Sequence, residues 1–303
     1  MKYFWPLMKN IITDTDKQSM IDFIKSTDRF TNGVKVREFE AAWSTWLNCK
    51  HSLFVSSGST ANYLLLAAMK DIYKLNPGDK VLVPSMTWVT NIGPVIQLGL
   101  KPIFCDVNSY DFSFDKEHLS RIQKQHPDIK LIWITHLLGI AADVDYYKEL
   151  FPDALIAEDV CESHGVEIDG TKAGVLGEGG TFSFYFGHHM TTIEGGFVST
   201  NNTELYELMR AKRSHGLARE MSKESQQAII EKYPDVHPQF LFVTDGYNFR
   251  NMEINAVLGL SQLEYLDNNI IERKNNLDRF VKLLDYPEFD TNFKMEGNSS
   301  FVL

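Results

Sequence analysis

Residues 52–70 read SLFVSSGSTANYLLLAAMK, and the change of character inside this stretch sets the architecture. Residues 52–55 form a short apolar run of strand length. Residues 61–70 are rich in Ala, Leu and Met, strong helix formers. Between them stands the small polar turn Ser56-Ser57-Gly58-Ser59-Thr60. A strand, a small polar turn and a helix aim free backbone N–H groups beyond the strand end, an arrangement suited to an anion. The same turn also suits an ordinary Ser/Thr helix cap. Both readings stand.

Toward the C-terminus the alternation repeats. Residues 80–83, 102–107, 131–135 and 154–157 read as strands, with helices at 90–98, 116–124 and 143–150. Strands separated by helices predict an α/β fold with a mainly parallel sheet covered on both faces. Ligands in such sheets bind beyond the carboxyl ends of the strands. Residues 57–60, Trp88, Asp159 and Glu162 all fall at such ends, so separate segments deliver polar and aromatic groups to one edge.

Further on, residues 180–196 read GTFSFYFGHHMTTIEGG. Phe182, Phe184 and Phe186 alternate with Ser183, Tyr185 and Gly187, the period of a strand with one face buried. A returning strand follows from Gly196. His188 and His189 then lie at or just past a strand end. Neighbours on an extended chain face opposite ways, so at most one of the two addresses a given site. A metal site built from the pair is poor on that geometry, and His189 reads as a polar residue on the opposite face.

The flanks are helical. Residues 15–30 predict an amphipathic helix with Met20, Ile21, Phe23 and Ile24 on one side; residues 36–47 predict another, anchored by Trp43 and Trp46. After the hairpin come a helix at 204–212 and a polar loop at 215–237 with a helical insert at 225–232. An amphipathic helix at 252–268 continues, with a bend, to 284. The final SSFVL reads as the start of a strand in a second, smaller domain that this chain enters and does not complete.

The 303 residues suffice for one large or two ordinary domains, and 44% hydrophobic content supports a substantial core. A net charge of −10 argues against a nucleic-acid surface but leaves room for a local anion pocket. MKYFWPLMKN lacks the apolar core of a signal peptide, and no stretch approaches a membrane span. Cys49, Cys105 and Cys161 are scattered, odd in number and never in a CxxC spacing. That suits a reducing cytoplasm and offers no disulfide or metal framework.

Asp159 follows an apolar strand and, once buried, needs a charged or hydrogen-bonded partner. A pyridinium nitrogen would serve. Trp88 offers a flat face for a ring to stack on. The Gly58-Ser59 turn and Ser183 offer donors to a phosphate. Together these are the demands of pyridoxal phosphate (PLP). Taken singly, Asp159 could equally be a helix cap and Trp88 a core residue.

SSGSTAN, PSMTWVTN, AEDVCESHG, FSFYFGHHMTTIEGG and GYNFRNMEINAVLGLSQLE, in that order, resemble the motifs of the DegT/DnrJ/EryC1/StrS family, PLP-dependent sugar aminotransferases of fold type I. The likeness covers nearly the whole chain. It implies a large PLP-binding domain at 1–250, then a linking helix and the start of a small domain at 251–303. It also implies a homodimer with the cofactor at the subunit interface. By resemblance, Gly58, Ser59 and Ser183 bind the phosphate, with the partner subunit's Asn248 reaching in. Trp88 stacks on the ring, Asp159 pairs with its nitrogen, and Glu162 replaces a glutamine near the ring hydroxyl. His215 and Arg219 resemble positions near the substrate or the glutamate carboxylate, and Arg250 reads as a further anion contact; all three read equally as surface polar residues.

One departure bears on function. Where the family's aminotransferases carry the lysine that holds the cofactor covalently, this chain has His188. Imidazole is not a primary amine, but with an ordinary pKa of about 6.5 it moves protons near neutral pH. The site therefore suits a non-covalent PLP or pyridoxamine phosphate (PMP) and a histidine acid/base. A branch of the family with this change consists of sugar 3-dehydratases. That likeness implies glutamate as amino donor and a nucleotide-linked 4-keto-6-deoxyhexose, GDP-4-keto-6-deoxy-D-mannose, as substrate. The amine of PMP condenses with the C4 ketone, His188 removes a proton, the C3 hydroxyl leaves, and hydrolysis releases a 3,6-dideoxy sugar and ammonia. Such sugars, colitose among them, belong to lipopolysaccharide O-antigens. An iron–sulfur variant of the branch needs cysteines beyond the histidine, and no cysteine follows Cys161 here. A nucleotide-sugar aminotransferase and a non-catalytic relative remain as alternatives. Retention of Asp159, Trp88, Ser183 and Glu162 favours activity.

Overall fold

The computed structural model describes residue 8 and residues 11–284 and 286–301. Its strands are β1 (His51–Val55), β2 (Lys80–Pro84), β3 (Lys101–Cys105), β4 (Leu131–Thr135), β5 (Leu155–Asp159), β6 (Glu167–Ile168), β7 (Thr171–Lys172), β8 (Gly179–Ser183) and β9 (Gly196–Thr200). β6 and β7 form a separate hairpin, and the rest form one sheet in the order β1-β9-β8-β5-β4-β2-β3. The block from β8 through β3 is parallel; β9 runs antiparallel to both β8 and β1. Register places Thr135 beside Asp159 and Asp159 beside Thr181, so these strands end at one level.

The helices are α1 (Asp14–Ser26), α2 (Val34–Leu47), α3 (Gly58–Ile72), α4 (Gly93–Gln97), α5 (Lys116–Gln125), α6 (Val144–Leu150), α7 (Thr203–Arg213), α8 (Lys223–Lys232), α9 (Glu253–Leu263) and α10 (Leu266–Leu283). One face of the sheet is packed by Leu64, Leu65 and Ala68 of α3 and by Leu205 and Met209 of α7, against Leu53, Val83, Trp133 and Val198. On the other face, Phe39 and Trp43 of α2 pack on Phe54, Phe182 and Phe197, while Leu119 and Tyr147 cover Leu82, Ile132 and Ile156. Burial on both faces explains the near-continuous apolar strands.

Several expectations are corrected. Residues 90–98 do not make one helix: a 3₁₀ turn at Val89–Asn91 gives way to α4, where Pro94, lacking an N–H, sits in the first turn. The alternation at 180–187 is not a half-buried strand. β8 ends at Ser183 and is buried throughout because it lies mid-sheet, and Phe186 beyond it is exposed. In α1, Ile21 and Ile24 are exposed, and the buried residue is Asp16. Its carboxylate completes a capping box with Thr13 and accepts from Ser261 at 2.6 Å and Gln262 at 2.7 Å on α9. Trp43 is fully buried as expected, whereas Trp46 is only half-buried.

The bend expected in the long C-terminal helix is the break between α9 and α10. Ser299 and Phe301 form no strand. Their amides donate to the carbonyls of Gly139 and Leu138, so this segment lies along the residues that follow β4. Val302 and Leu303 lie outside the described residues, as does MKYFWPLMKN apart from Met8. Among the described residues no helix is long and apolar enough to cross a membrane.

Candidate active site

A cavity of about 490 Å³ opens where β1, β4, β5 and β8 end, large enough for a small-molecule ligand. Its floor is the first turn of α3. The Ser57 hydroxyl accepts from the Thr60 amide at 3.1 Å, and the Thr60 hydroxyl accepts from the Ser57 amide at 3.0 Å. This capping box leaves the Gly58 and Ser59 amides, the first of the helix, without intrahelical acceptors. Both residues line the cavity. The cap reading of the turn holds, and the capped helix start stands at the cavity. Gly58 is required by close approach: a Cβ there would lie 2.6 Å from the Cβ of Ser183. That contact sets the Ser183 side chain beside the helix start.

Asp159 closes β5 and is 4% exposed. Its Oδ1 accepts from the Cys161 amide at 2.8 Å and its Oδ2 from the Asn62 side chain at 3.0 Å. It caps no helix, and among the described residues no cation pairs with it. Its buried carboxylate is held by neutral donors, which leaves room for a cationic partner from the cavity. Trp88, 64% exposed, is not a core residue; it forms an open aromatic wall. Glu162 accepts from the Leu138 amide at 3.1 Å, and burial, with Asp159 beside it, raises its pKa from the ordinary glutamate value.

His188 lines the same cavity. Its amide donates to the Tyr185 carbonyl at 3.0 Å, and its Nδ1 is buried without a hydrogen bond among the described residues. Burial, with the Arg273 guanidinium nearby, lowers its pKa to about 4. The near-neutral imidazole expected from sequence is thus corrected: at pH 7 this ring is uncharged. His189 is fully buried and turned away, its Nε2 donating to the Ser299 carbonyl at 3.1 Å. His164, unnoticed in the sequence, stands between them, 5.9 Å from the His188 ring and 5.2 Å from that of His189.

Burial holds all three histidines below the ordinary histidine pKa. As pH falls below about 6.5 the unfolded chain takes up protons first. The stability carried by the neutral rings is therefore complete above that pH and is lost as pH falls toward the folded pKa values. For His188 the loss is on the order of 3 kcal/mol once its folded pKa near 4 is reached. We expect the Tm to fall steadily from pH 7 to pH 5 in thermal unfolding; an unchanged Tm across that window contradicts the neutral cluster.

The structure gathers Gly58, Ser59, Trp88, Asp159, Glu162, Ser183 and His188 around one cavity. It does not bring Asn248, His215, Arg219 or Arg250 to it within the single chain. Arg250 donates through Nε to the Asn248 side chain at 3.1 Å and bridges to Val55. Arg219 donates to the Gln239 side chain at 3.0 Å. His215 takes a left-handed backbone, its amide donating to the Tyr247 carbonyl at 2.7 Å. Sequence reasoning missed Thr135, Tyr185, Glu194 and Phe301 in the lining. Thr135 ends a strand and was open to the strand-end argument applied to Asp159. Phe301 had no such signal, because only the returning tail brings it in.

A family model described as the DegT/DnrJ/EryC1/StrS aminotransferase family matches residues 11–302. The chain is 32% identical over 302 residues to the GDP-4-keto-6-deoxy-D-mannose 3-dehydratase of Escherichia coli O55:H7, covering 98% of this chain and 77% of that protein. It is 32% identical over 254 residues to the GDP-perosamine synthase of Caulobacter vibrioides, covering 83% of this chain and 61% of that protein. A crystal structure of GDP-4-keto-6-deoxymannose-3-dehydratase with a trapped PLP-glutamate geminal diamine superimposes with a TM-score of 0.89 at 29% identity. That match covers 98% of this chain and 78% of the other. The α/β fold of PLP enzymes of fold type I, expected from the motifs, is the fold observed.

Proposed function

The chain belongs to the DegT/DnrJ/EryC1/StrS aminotransferase family, and from that premise we propose that it is a PLP- and glutamate-dependent sugar 3-dehydratase. Its substrate is a nucleotide-linked 4-keto-6-deoxyhexose, GDP-4-keto-6-deoxy-D-mannose, and its product a 3,6-dideoxy sugar. The observation that carries this reading is His188: an uncharged imidazole, and no lysine, lines a cavity otherwise furnished for PLP.

The residues present fit the cofactor. The Gly58 and Ser59 amides and Ser183 suit a phosphate, Trp88 presents an open face, and Asp159 lacks a cation that a protonated ring nitrogen would supply. When bound, PLP or PMP supplies the electron sink and the amine that meets the sugar ketone. Asp159 holds the proton on the ring nitrogen. Trp88 covers one ring face and excludes water from it. Glu162 lines the cavity and presents its carboxyl toward the place of the ring hydroxyl, where the resemblance puts a glutamine. His188 has Nδ1 buried, so Nε2 is the nitrogen left to take a proton. Being a weak base in this setting, it passes that proton on readily to the departing C3 hydroxyl.

The exposed apolar side chains Trp88, Val89, Tyr185, Phe186 and Ile193 support a homodimer interface at the cavity mouth. There the partner subunit's Asn248 completes the phosphate site, and His215, Arg219 and Arg250 serve the nucleotide sugar or the glutamate carboxylate. Residues 1–250 then make the PLP domain of a cytoplasmic enzyme, and 251–303 pack on it through α9 and the tail that brings Phe301 to the cavity. The likeness to a GDP-perosamine synthase favours nucleotide-sugar transamination as the second reading.

The test supplies the protein with PLP, L-glutamate and GDP-4-keto-6-deoxymannose and follows products by mass spectrometry and ammonia assay. Loss of the C3 oxygen with ammonia release is the expected result. A GDP-amino sugar without ammonia makes the chain a transaminase. Failure to bind PLP at all sinks both readings and leaves the non-catalytic one.

A further inference from the structure

We propose that Asn62 is a positioning residue for the ring of the cofactor, fixing the carboxylate of Asp159 on one wall of the cavity. The inference rests on the PLP reading above. Neither Asn62 nor its neighbour Asn91 lines the cavity, so any effect they have on a ligand passes through other residues.

Asn62 lies in α3 and is fully buried. Asparagine is a poor helix former, and a buried amide must be hydrogen-bonded, so its presence here calls for a reason. Its Oδ1 accepts from the Thr181 hydroxyl at 2.5 Å. The two hydrogens on its Nδ2 are shared among Asp159 Oδ2 at 3.0 Å, Asn91 Oδ1 at 2.8 Å and Thr90 Oγ1 at 3.2 Å. The Thr181 hydroxyl donates to the amide oxygen and the amide nitrogen donates to Asp159, so the amide has one orientation, with nitrogen toward Asp159 and oxygen toward Thr181.

The chain of bonds continues through Asn91. Its Nδ2 donates to Thr87 Oγ1 and to Thr135 Oγ1, each at 2.7 Å, and its backbone amide donates to the Trp88 carbonyl at 3.0 Å. One buried pair of amides thus joins the end of β5 to the loop after β2. The last torsion of an aspartate side chain is broad and soft, so a carboxylate keeps one plane only if its oxygens are held. Here Cys161 N holds Oδ1 and Asn62 holds Oδ2. A leucine at 62 would fill the space and release Oδ2, letting the carboxylate turn out of line with a ring nitrogen.

The test compares binding of PLP with that of 1-deazapyridoxal phosphate, in which CH replaces the ring nitrogen. Four proteins are measured: wild type, Asp159→Asn, Asn62→Leu and Thr181→Val. Wild type should prefer PLP, and Asp159→Asn should not. Asn62→Leu should cut the preference roughly tenfold, the scale of a hydrogen bond to a charged group, with affinity for the deaza analogue unchanged. Thr181→Val keeps the volume and unties the Asn62 oxygen, together with the longer bond of Thr181 to the Glu158 carbonyl at 3.3 Å; it should move the preference the same way by less, and it decides the matter should Asn62→Leu fail to fold. Equal weakening of both ligands would mean that Asn62 is merely structural and overturns the inference. If Asp159→Asn behaves as expected while Asn62→Leu and Thr181→Val keep the full preference, the inference falls and the PLP reading stands. A wild type without preference overturns both.

Discussion

Replacing His188 with glutamine is expected to slow C3 deoxygenation by about 10²–10⁴-fold, the range that a positioned acid/base contributes, while PLP affinity changes little. Glutamine is close to histidine in size and hydrogen-bonds, but it does not exchange a proton near neutral pH. The phosphate cradle, Trp88 and Asp159 are all set by other segments, so the loss should appear in the rate and not in the dissociation constant of the cofactor. The pH profile adds a second handle. With a pKa of about 4, His188 is already in its basic form across the neutral range, so wild-type activity should not fall through a histidine titration between pH 6 and pH 8. Single-turnover rates and PLP titration on both proteins make the comparison. A variant within threefold, roughly, of the wild-type rate removes His188 from the reaction.

Glu40→Ala is expected to destabilise the fold by about 3–5 kcal/mol, the usual result of stripping one partner from a buried ion pair. Arg213 is completely buried, and its Nη1 donates to Glu40 Oε1 at 2.7 Å and to the Phe54 carbonyl at 2.8 Å. Glu40 in turn accepts from the Phe54 amide at 3.0 Å and from Arg37 at 2.6 Å. β1 is an edge strand, and this pair occupies the outward backbone groups of Phe54 that no neighbouring strand pairs. With Glu40 gone, a guanidinium whose Nε and Nη2 already lack partners among the described residues is left buried without its anion. Such a loss is a large share of a typical folding free energy of roughly 5–15 kcal/mol. Urea denaturation of Glu40→Ala and of Glu40→Leu/Arg213→Met tests the point, since the double variant removes both charges and should recover much of the loss. A single variant as stable as wild type sinks the argument.

Much of this was open to reading in the sequence. The strands of the parallel block are short apolar runs between helices, and that pattern alone places their ends together. Gly58, Trp88, Asp159 and Ser183 were found by where they stand on those runs. What stayed hidden depends on distance along the chain. Asn62 looks like an ordinary polar residue in a helix until β5 and β8 deliver Asp159 and Thr181 to it. The pKa of His188 follows from burial and from Arg273, which arrives on α10. The alternation at 180–187 misled because a strand in the middle of a covered sheet has no solvent face. In α1 the apolar stripe pointed to Ile21 and Ile24, while the contact with α9 is made through the polar Asp16.

The returning tail has a consequence for synthesis. Phe301 packs 5.4 Å from the His188 ring, Ser299 receives the His189 bond, and Arg273 grips the Ser300 and Phe301 carbonyls. A nascent chain leaves the ribosome N-terminus first, so every strand of the sheet emerges before this segment does. The cradle, Asp159 and Trp88 can be in place while the wall behind His188 is still missing. That wall forms only after translation has passed residue 301, so within one chain the corner around His188 closes after the turn of Gly58, Asp159 and Trp88 are in place.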